Sequence, residues 1–219
     1  MKTINKHYRC IVAEGPLWDD RNNTLLFLDI LGKCIFKMDY STKKMQKIDI
    51  GQQIGCMALC ENDDLLLAMQ DGIYRMNAQG EKVLAHQSIQ IKGRRFIDGK
   101  VGPDGCFFYV GTTDDNGLGA FYRLKDGVLN ELFDHCGCSN GLDWTVDESN
   151  LFYCDTRLQK IEIFDFDAST IIVLVSKHFG WDIVQVVSIA LAILGVVSLC
   201  ISIFKNDVKN LRSVYRDNK

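Results

Sequence analysis

Apolar residues along this chain form short runs that recur in pairs. The first member of each pair is almost wholly apolar, and the second member alternates apolar with polar positions. The first members are Leu25–Asp29, Leu65–Met69, Phe107–Gly111 and Leu151–Asp155, and the second members are Ile35–Asp39, Ile73–Asn77, Ala120–Leu124 and Ile161–Asp165. An apolar run predicts a strand buried on both faces, and an alternating run predicts a strand with one face in water.

The paired runs repeat at a nearly constant spacing. The first members start at residues 25, 65, 107 and 151, which gives a period of 40 to 44 residues. Repeats of this length, built from about four short strands each, are typical of β-propeller blades. Turn-forming pairs such as Gln79-Gly80 and Asp126-Gly127 separate the runs. We therefore predict an all-β fold, a partial β-propeller of about four blades, with an unrelated β-sandwich as the alternative.

Charge and cysteine content narrow the functional classes. The net charge of -3 and the absence of a basic stripe interleaved with aromatic residues argue against a nucleic-acid partner. The nine cysteines are an odd number and mostly stand singly in strand-like runs, which favours reduced thiols. Cys56 with Cys60, and Cys136 with Cys138, could in principle bind zinc, but neither pair has the usual spacing with a matching second pair.

Three segments depart from the repeat, and each places a polar residue near a glycine ahead of a predicted inner strand. They are Glu14–Trp18, Arg95–Lys100 and Ser139–Trp144. In a propeller, such positions line the central channel, so residues distant in sequence can converge there. Glu14 and Asn140 supply oxygen donors for one divalent cation, either calcium or magnesium, or zinc or manganese. Arg95 could clamp an oxygen-rich ligand.

An ordered series of motifs resembles one known family. The series is Glu14-Gly-Pro-Leu-Trp18, Asp29-Ile30, Ile54-Gly55-Cys56, Asp98-Gly-Lys-Val101 with Pro103-Asp-Gly105, Gly111-Thr112, and Ser139-Asn-Gly-Leu142 with Trp144. Over residues 1–170 the chain is similar to the regucalcin, senescence marker protein and gluconolactonase family of sugar lactonases. The resemblance implies a six-bladed propeller that hydrolyses a sugar lactone with one divalent cation. It also implies that Glu14 and Asn140 are metal ligands and that Arg95 contacts substrate.

The chain departs from the family pattern at several positions. Ile97 stands where the family has a substrate-side asparagine. The aspartate that would complete the metal shell and serve as general base comes from a later family segment that we do not find after Thr170, so no catalytic residue is assigned. Asp114 or Asp115 would be the acidic lid residue, and Asp98 is interpreted as a turn-former bonding its own backbone.

These departures leave three functional hypotheses open. The first is a metal-dependent lactonase whose activity is impaired by truncation. The second is a non-catalytic, membrane-tethered module that binds a cation or a partner, and the third is an inactive truncated gene product. Because only about four of six blades are visible, we expect open blade faces through which the chain could associate with itself.

The C-terminal part carries a long uncharged run, residues 183–204. A helix of this length would be about 33 Å long and could cross a ~30 Å hydrocarbon core. A buried core helix is the alternative. We therefore divide the chain into a propeller (1–170), a connector (171–182), a transmembrane helix (183–204) and a basic tail (205–219). The basic tail favours a cytoplasmic C-terminus, whereas the lack of a recognisable signal favours a tail anchor with a cytosolic propeller. Without insertion, we expect a cytoplasmic protein.

Overall fold

The computed structural model describes residues 8–87, 94–105, 108–114 and 116–167. These residues form fifteen β-strands, arranged as four antiparallel sheets, and contain no helix. The described residues accordingly include no helix able to span a bilayer. The predicted helix at 183–204, with the connector and tail around it, lies outside the described ranges.

Each sheet is a meander in which consecutive strands pair with one another. The first sheet has the order β1 (Ala13–Asp19), β2 (Thr24–Asp29), β3 (Cys34–Asp39) and β4 (Met45–Asp49). The second has the order β5 (Ile54–Leu59), β6 (Leu65–Met69), β7 (Gly72–Met76) and β8 (Lys82–Gln87). The third has the order β9 (Arg95–Val101), β10 (Phe108–Thr113), β11 (Gly119–Lys125) and β12 (Val128–Cys136). The fourth contains β13 (Ser139–Trp144), β14 (Asn150–Asp155) and β15 (Lys160–Asp165) among the described residues.

The predicted repeat is confirmed, since the four sheets form a propeller-like arrangement of four blades. The paired runs are the second and third strands of each sheet, from β2 and β3 through β14 and β15. The three motif segments were expected to lie ahead of the inner strands. They instead form strands themselves, because β1, β9 and β13 are the first strands of their sheets. With β5, the first strand of the second sheet, they form a series in which β1 contacts β5, β5 contacts β9 and β9 contacts β13, as the innermost strands of adjacent blades do.

Apolar side chains from facing sheets interlock into three core clusters, one between each successive pair of sheets. Representative fully buried members, listed from the first interface to the third, are Leu28, Ile54, Leu67, Ala68, Val110, Ala120, Phe121 and Leu151. Burying a leucine or phenylalanine side chain contributes about 1.5–3 kcal/mol. The second strands of the two middle sheets, β6 and β10, each contribute side chains to two of these clusters, which is why they read as continuous apolar runs in the sequence.

Every first strand is bulged near the same end. The pairing register between first and second strands shifts at one place in each sheet. The residues that lie in these shifts are Gly15-Pro16 in β1, Gly55 in β5, Ile97 in β9 and Asn140-Gly141 in β13. A bulge interrupts the strict alternation of side chains and can redirect consecutive residues towards one side. The four bulges therefore concentrate side chains at one end of the inner strands.

Candidate functional site

The bulged ends of the inner strands surround a cavity of about 280 Å³. Its lining includes Glu14 from β1, Gly55 from β5, and Arg95 and Asp98 from β9, with Asn140 from β13. The three residues singled out from the sequence, Glu14, Arg95 and Asn140, thus lie together although the chain separates them by up to 126 positions, the difference between 140 and 14. Their roles as ligands remain predictions.

The strand that carries Glu14 is anchored by a buried carboxylate. Asp29, which is 3% exposed, accepts hydrogen bonds from the backbone N–H groups of Ile11 (2.9 Å), Val12 (3.0 Å) and Gly32 (2.9 Å). Burial disfavours the charged form, but these hydrogen bonds outweigh it and hold the pKa of Asp29 below its ordinary value. Because Glu14 follows two residues after Val12, this anchor fixes the backbone from which its side chain projects.

The strand that carries Asn140 is anchored in the same way. Asp155, which is fully buried, accepts hydrogen bonds from the backbone N–H groups of Gly137 (2.7 Å) and Cys138 (3.0 Å). Asn140 comes two residues after Cys138, just as Glu14 comes two residues after Val12. Glu14 and Asn140 therefore occupy equivalent positions in two blades, and each is followed by a glycine.

Asp98 also lines this cavity, and the sequence did not reveal its hydrogen bond to the neighbouring blade. It lies within β9 rather than in a turn, so its interpretation as a turn-former was wrong about its place, although its Oδ1 does accept the neighbouring Gly99 N–H at 2.8 Å. Its Oδ2 accepts the N–H of Gly141, in the next blade, at 2.8 Å. Burial, aided by the negative charge of Glu14, raises the pKa of Asp98 to about 6, against the lowering effect of these hydrogen bonds and of Lys100.

Arg95 and Ile97 line the cavity beside Asp98 because of the bulge in β9. In a regular strand Asp98 would point away from both, but Ile97 is the extra residue between the pairs that Phe96 and Asp98 make with β10. One Arg95 Nη donates a hydrogen bond to the Phe96 carbonyl at 3.2 Å, which orients the guanidinium group. The guanidinium group of Arg95, two carboxylates and several apolar side chains thus share the cavity with Asn140.

The candidate lid residue Asp114 lies elsewhere. It is 2% exposed, its Oδ2 lies 3.6 Å from Arg94 Nε, and its Oδ1 accepts the backbone N–H of Asn116 at 2.8 Å. Asp114 does not line the cavity. The side chain of Arg94 is mostly buried against this carboxylate. The other candidate, Asp115, is outside the described residues.

A recurring sequence signal marks most of this site. At or directly next to the bulge of each inner strand, a residue is followed by glycine: Glu14-Gly15, Ile54-Gly55, Asp98-Gly99 and Asn140-Gly141. Gly15 and Gly141 adopt positive φ angles of 56° and 115°, which L side chains rarely adopt. Asp98 therefore shared the glycine signal with Glu14 and Asn140, but its hydrogen bond across two blades left no trace in the sequence.

The chain is similar to known proteins over most of its length. Residues 12–180 match the family model described as SMP-30/Gluconolactonase/LRE-like region. Regucalcin of Xenopus laevis is 34% identical over 170 residues, which are 73% of this chain and 56% of that protein. The fold is shared with the calcium-binding regucalcin of Agrobacterium tumefaciens (TM-score 0.74, 20% identity, 80% of this chain and 61% of that one). A gluconolactonase of Xanthomonas campestris also matches (TM-score 0.65, 21% identity, 78% of this chain and 63% of that one).

The matched region is long enough to establish family membership, although the matching proteins are themselves longer than this chain. The chain spans somewhat more than half the length of the regucalcin from Xenopus laevis. The two solved structures share the propeller fold with this chain at low sequence identity. The ordered motifs around Glu14, Asp98 and Asn140 lie inside the matched residues. On this match over residues 12–180, the chain belongs to the SMP-30, gluconolactonase and LRE-like family.

Proposed function

We propose that the cavity binds a divalent cation through the Glu14 carboxylate and the Asn140 amide oxygen, and that the chain uses this site to hydrolyse the ring ester of a lactone. The observation that carries the proposal is the meeting of Glu14, Asp98 and Asn140, from three blades, in one cavity with Arg95. Gluconolactonases are members of the family to which the chain belongs. The two anchors at Asp29 and Asp155 hold the proposed ligands in place.

The residues of the cavity fit a hard cation. All the proposed donors are oxygen atoms, which suit calcium, magnesium and manganese and also admit zinc. The pKa of Asp98 is raised in part by the charge of Glu14, so the cavity concentrates negative charge that a cation would offset. When bound, a divalent cation would supply Lewis-acid polarisation of the lactone carbonyl.

The remaining residues would bind substrate and move a proton. Arg95 offers a planar set of N–H donors for the oxygen atoms of a lactone. Asp98, with a pKa of about 6, is mostly ionised at neutral pH and can accept a proton from an attacking water at a carboxylate oxygen. The water oxygen then forms the bond to the carbonyl carbon, the ring C–O bond breaks, and the proton passes to the released oxygen.

A second candidate is cation binding without turnover. Both carboxylate oxygens of Asp98 already accept backbone N–H groups, so its main task could be to hold the Asn140 segment rather than to accept a proton. This alternative retains the roles of Glu14 and Asn140 as ligands and removes the hydrolytic step.

One set of measurements tests both candidates. Calorimetric titration of the full chain with calcium, magnesium, manganese and zinc should show one site, with dissociation constants raised at least about tenfold in Glu14→Gln and in Asn140→Ala. The exposed residues Glu61 and Asn130 supply the matched controls Glu61→Gln and Asn130→Ala. Hydrolysis of glucono-δ-lactone and δ-valerolactone is followed by acid release. Binding with turnover supports the lactonase, binding alone supports the second candidate, and equal binding by all four variants contradicts both.

A further inference from the structure

The lining of the cavity contains two chemically different sets of residues. One set carries the polar groups of Glu14, Arg95, Asp98 and Asn140. The other set consists of four aliphatic residues: Val12, Ile30, Leu31 and Ile97. This aliphatic set, from here on the apolar wall, comes from the segment before β1, the loop after β2 and the bulge of β9.

Part of the apolar wall is exposed to solvent at the cavity. Ile30 is 4% exposed, whereas Leu31 is 46% exposed, and both line the cavity. Ile97 is the extra residue of the β9 bulge, which brings its side chain to the same cavity as Asp98. A half-exposed leucine that lines a cavity together with other aliphatic residues is surface that a bound apolar group would remove from water.

Building on the proposed function, we propose that this site prefers lactones that carry an alkyl substituent over polyhydroxylated lactones. The ring carbonyl would lie against the polar residues, and the substituent would lie against the apolar wall. A hydroxylated substituent in the same place would face Ile97 and Ile30, whose side chains offer no hydrogen-bond partner. Hydroxyl groups that lose water without gaining a partner weaken binding, whereas methylene groups placed there strengthen it.

The size of the cavity limits the substituent. A volume of about 280 Å³ is at the small end of ligand sites. It accommodates a ligand of roughly ten non-hydrogen atoms, such as δ-octanolactone, a six-membered lactone with a three-carbon chain. The preferred substrate is therefore a monocyclic lactone with a short alkyl chain.

The test compares δ-octanolactone with glucono-δ-lactone, both as substrates and through their hydrolysis products as ligands. For the full chain with manganese, kcat/KM should favour δ-octanolactone by about tenfold or more. Calorimetry should show tighter binding of 5-hydroxyoctanoate than of gluconate by a similar factor, independently of turnover. Ile97→Asn and Leu31→Asn should each shift both ratios towards the hydroxylated compound. Leu31 is partly exposed, so its variant should fold normally, and the exposed Val146 supplies the control Val146→Asn.

The outcomes separate this inference from the proposed function. If no lactone is hydrolysed but 5-hydroxyoctanoate still binds more tightly than gluconate, and Leu31→Asn reverses the order, the lactonase proposal fails and the alkyl preference stands. If gluconate binds as tightly as 5-hydroxyoctanoate, or if Leu31→Asn and Ile97→Asn leave the binding ratio at the Val146→Asn value, the alkyl preference is overturned, whatever the turnover.

Discussion

The Asp98 carboxylate accepts the backbone N–H of Gly141 at 2.8 Å, which ties the inner strand of the third blade to that of the fourth. Gly141 directly follows Asn140, so this hydrogen bond holds the peptide from which the proposed amide ligand projects. The contact links two residues 43 positions apart and lies at the cavity itself. The position of Asn140 therefore depends on Asp98 as well as on the Asp155 anchor of its own blade.

The first prediction concerns the removal of this hydrogen bond. Asp98→Ala leaves the N–H groups of Gly99 and Gly141 without their acceptor, and we expect it to lower the free energy of unfolding by about 1–3 kcal/mol. It should also raise the dissociation constant of a divalent cation roughly tenfold to a hundredfold, because Asn140 loses its support. Urea unfolding and calorimetry measure the two effects. The exposed Asp20 gives the matched control, Asp20→Ala. Unchanged cation affinity in Asp98→Ala would contradict the positioning role.

The second prediction concerns pH in the absence of metal. The pKa of Asp98 rises from 3.8 to about 6 on folding, so between these values the folded chain binds more protons than the unfolded chain. Asp98 therefore adds most to stability below roughly pH 4, and this contribution is lost as the pH rises through 6. The shift corresponds to an upper limit of about 3 kcal/mol.

Comparison with Asp98→Asn isolates this contribution from those of other groups. The stability of the wild type relative to Asp98→Asn should fall as the pH is raised from about 4 to 7 in EDTA, as followed by urea unfolding. Glu14→Gln removes the neighbouring negative charge, so it should lower the pKa of Asp98 in a carboxylate NMR titration. A stability difference that rises over this pH range would overturn the assignment.

The third prediction concerns the close packing of inner strands. A Cβ on Gly55 would overlap the Phe96 carbonyl and lie 2.8 Å from the Ile97 nitrogen. Gly55→Ala must therefore push β5 away from β9, and we expect a loss of about 1–3 kcal/mol of stability together with weaker cation binding. A Cβ on Gly80 meets nothing within 4 Å, so Gly80→Ala should cost only the strain of its positive φ. Thermal unfolding and calorimetry compare the two. Equal losses would contradict the packing argument.

Local patterns in the sequence predicted the blades, while contacts between blades depended on packing that no local pattern encodes. The paired runs, such as Leu25–Asp29 with Ile35–Asp39, were recognisable because side-chain burial follows directly from residue type. Glu14 and Asn140 were recognisable because a glycine follows each at a bulge. The Asp98–Gly141 hydrogen bond was not predictable, because it depends on how far one blade is rotated relative to the next.

The last prediction uses the equivalence of the two anchors. Asp29 holds the backbone ahead of Glu14, and Asp155 holds the backbone ahead of Asn140. An asparagine at either position keeps one oxygen acceptor but offers an NH₂ group to the remaining backbone N–H, so Asp29→Asn and Asp155→Asn should each lose about 1–3 kcal/mol of stability. Each should also weaken cation binding through one ligand only, so that Asp29→Asn has a reduced further effect in a Glu14→Gln background.

The double variants and the pH profile decide this case. In Glu14→Gln the first ligand is already lost, so adding Asp29→Asn should weaken cation binding little further. In the double variant Glu14→Gln with Asp155→Asn, both losses of cation affinity should be visible, since they act on different ligands. The pKa of Asp29 is held below 3.8, so its stabilising contribution is present above this pH and is lost as the pH falls through its folded-state pKa. Acid unfolding of the wild type should therefore steepen below about pH 4, and Asp29→Asn should flatten that region. In the double-variant measurement, additive losses of cation affinity for Asp29→Asn and Glu14→Gln would show that the Asp29 anchor does not act through Glu14.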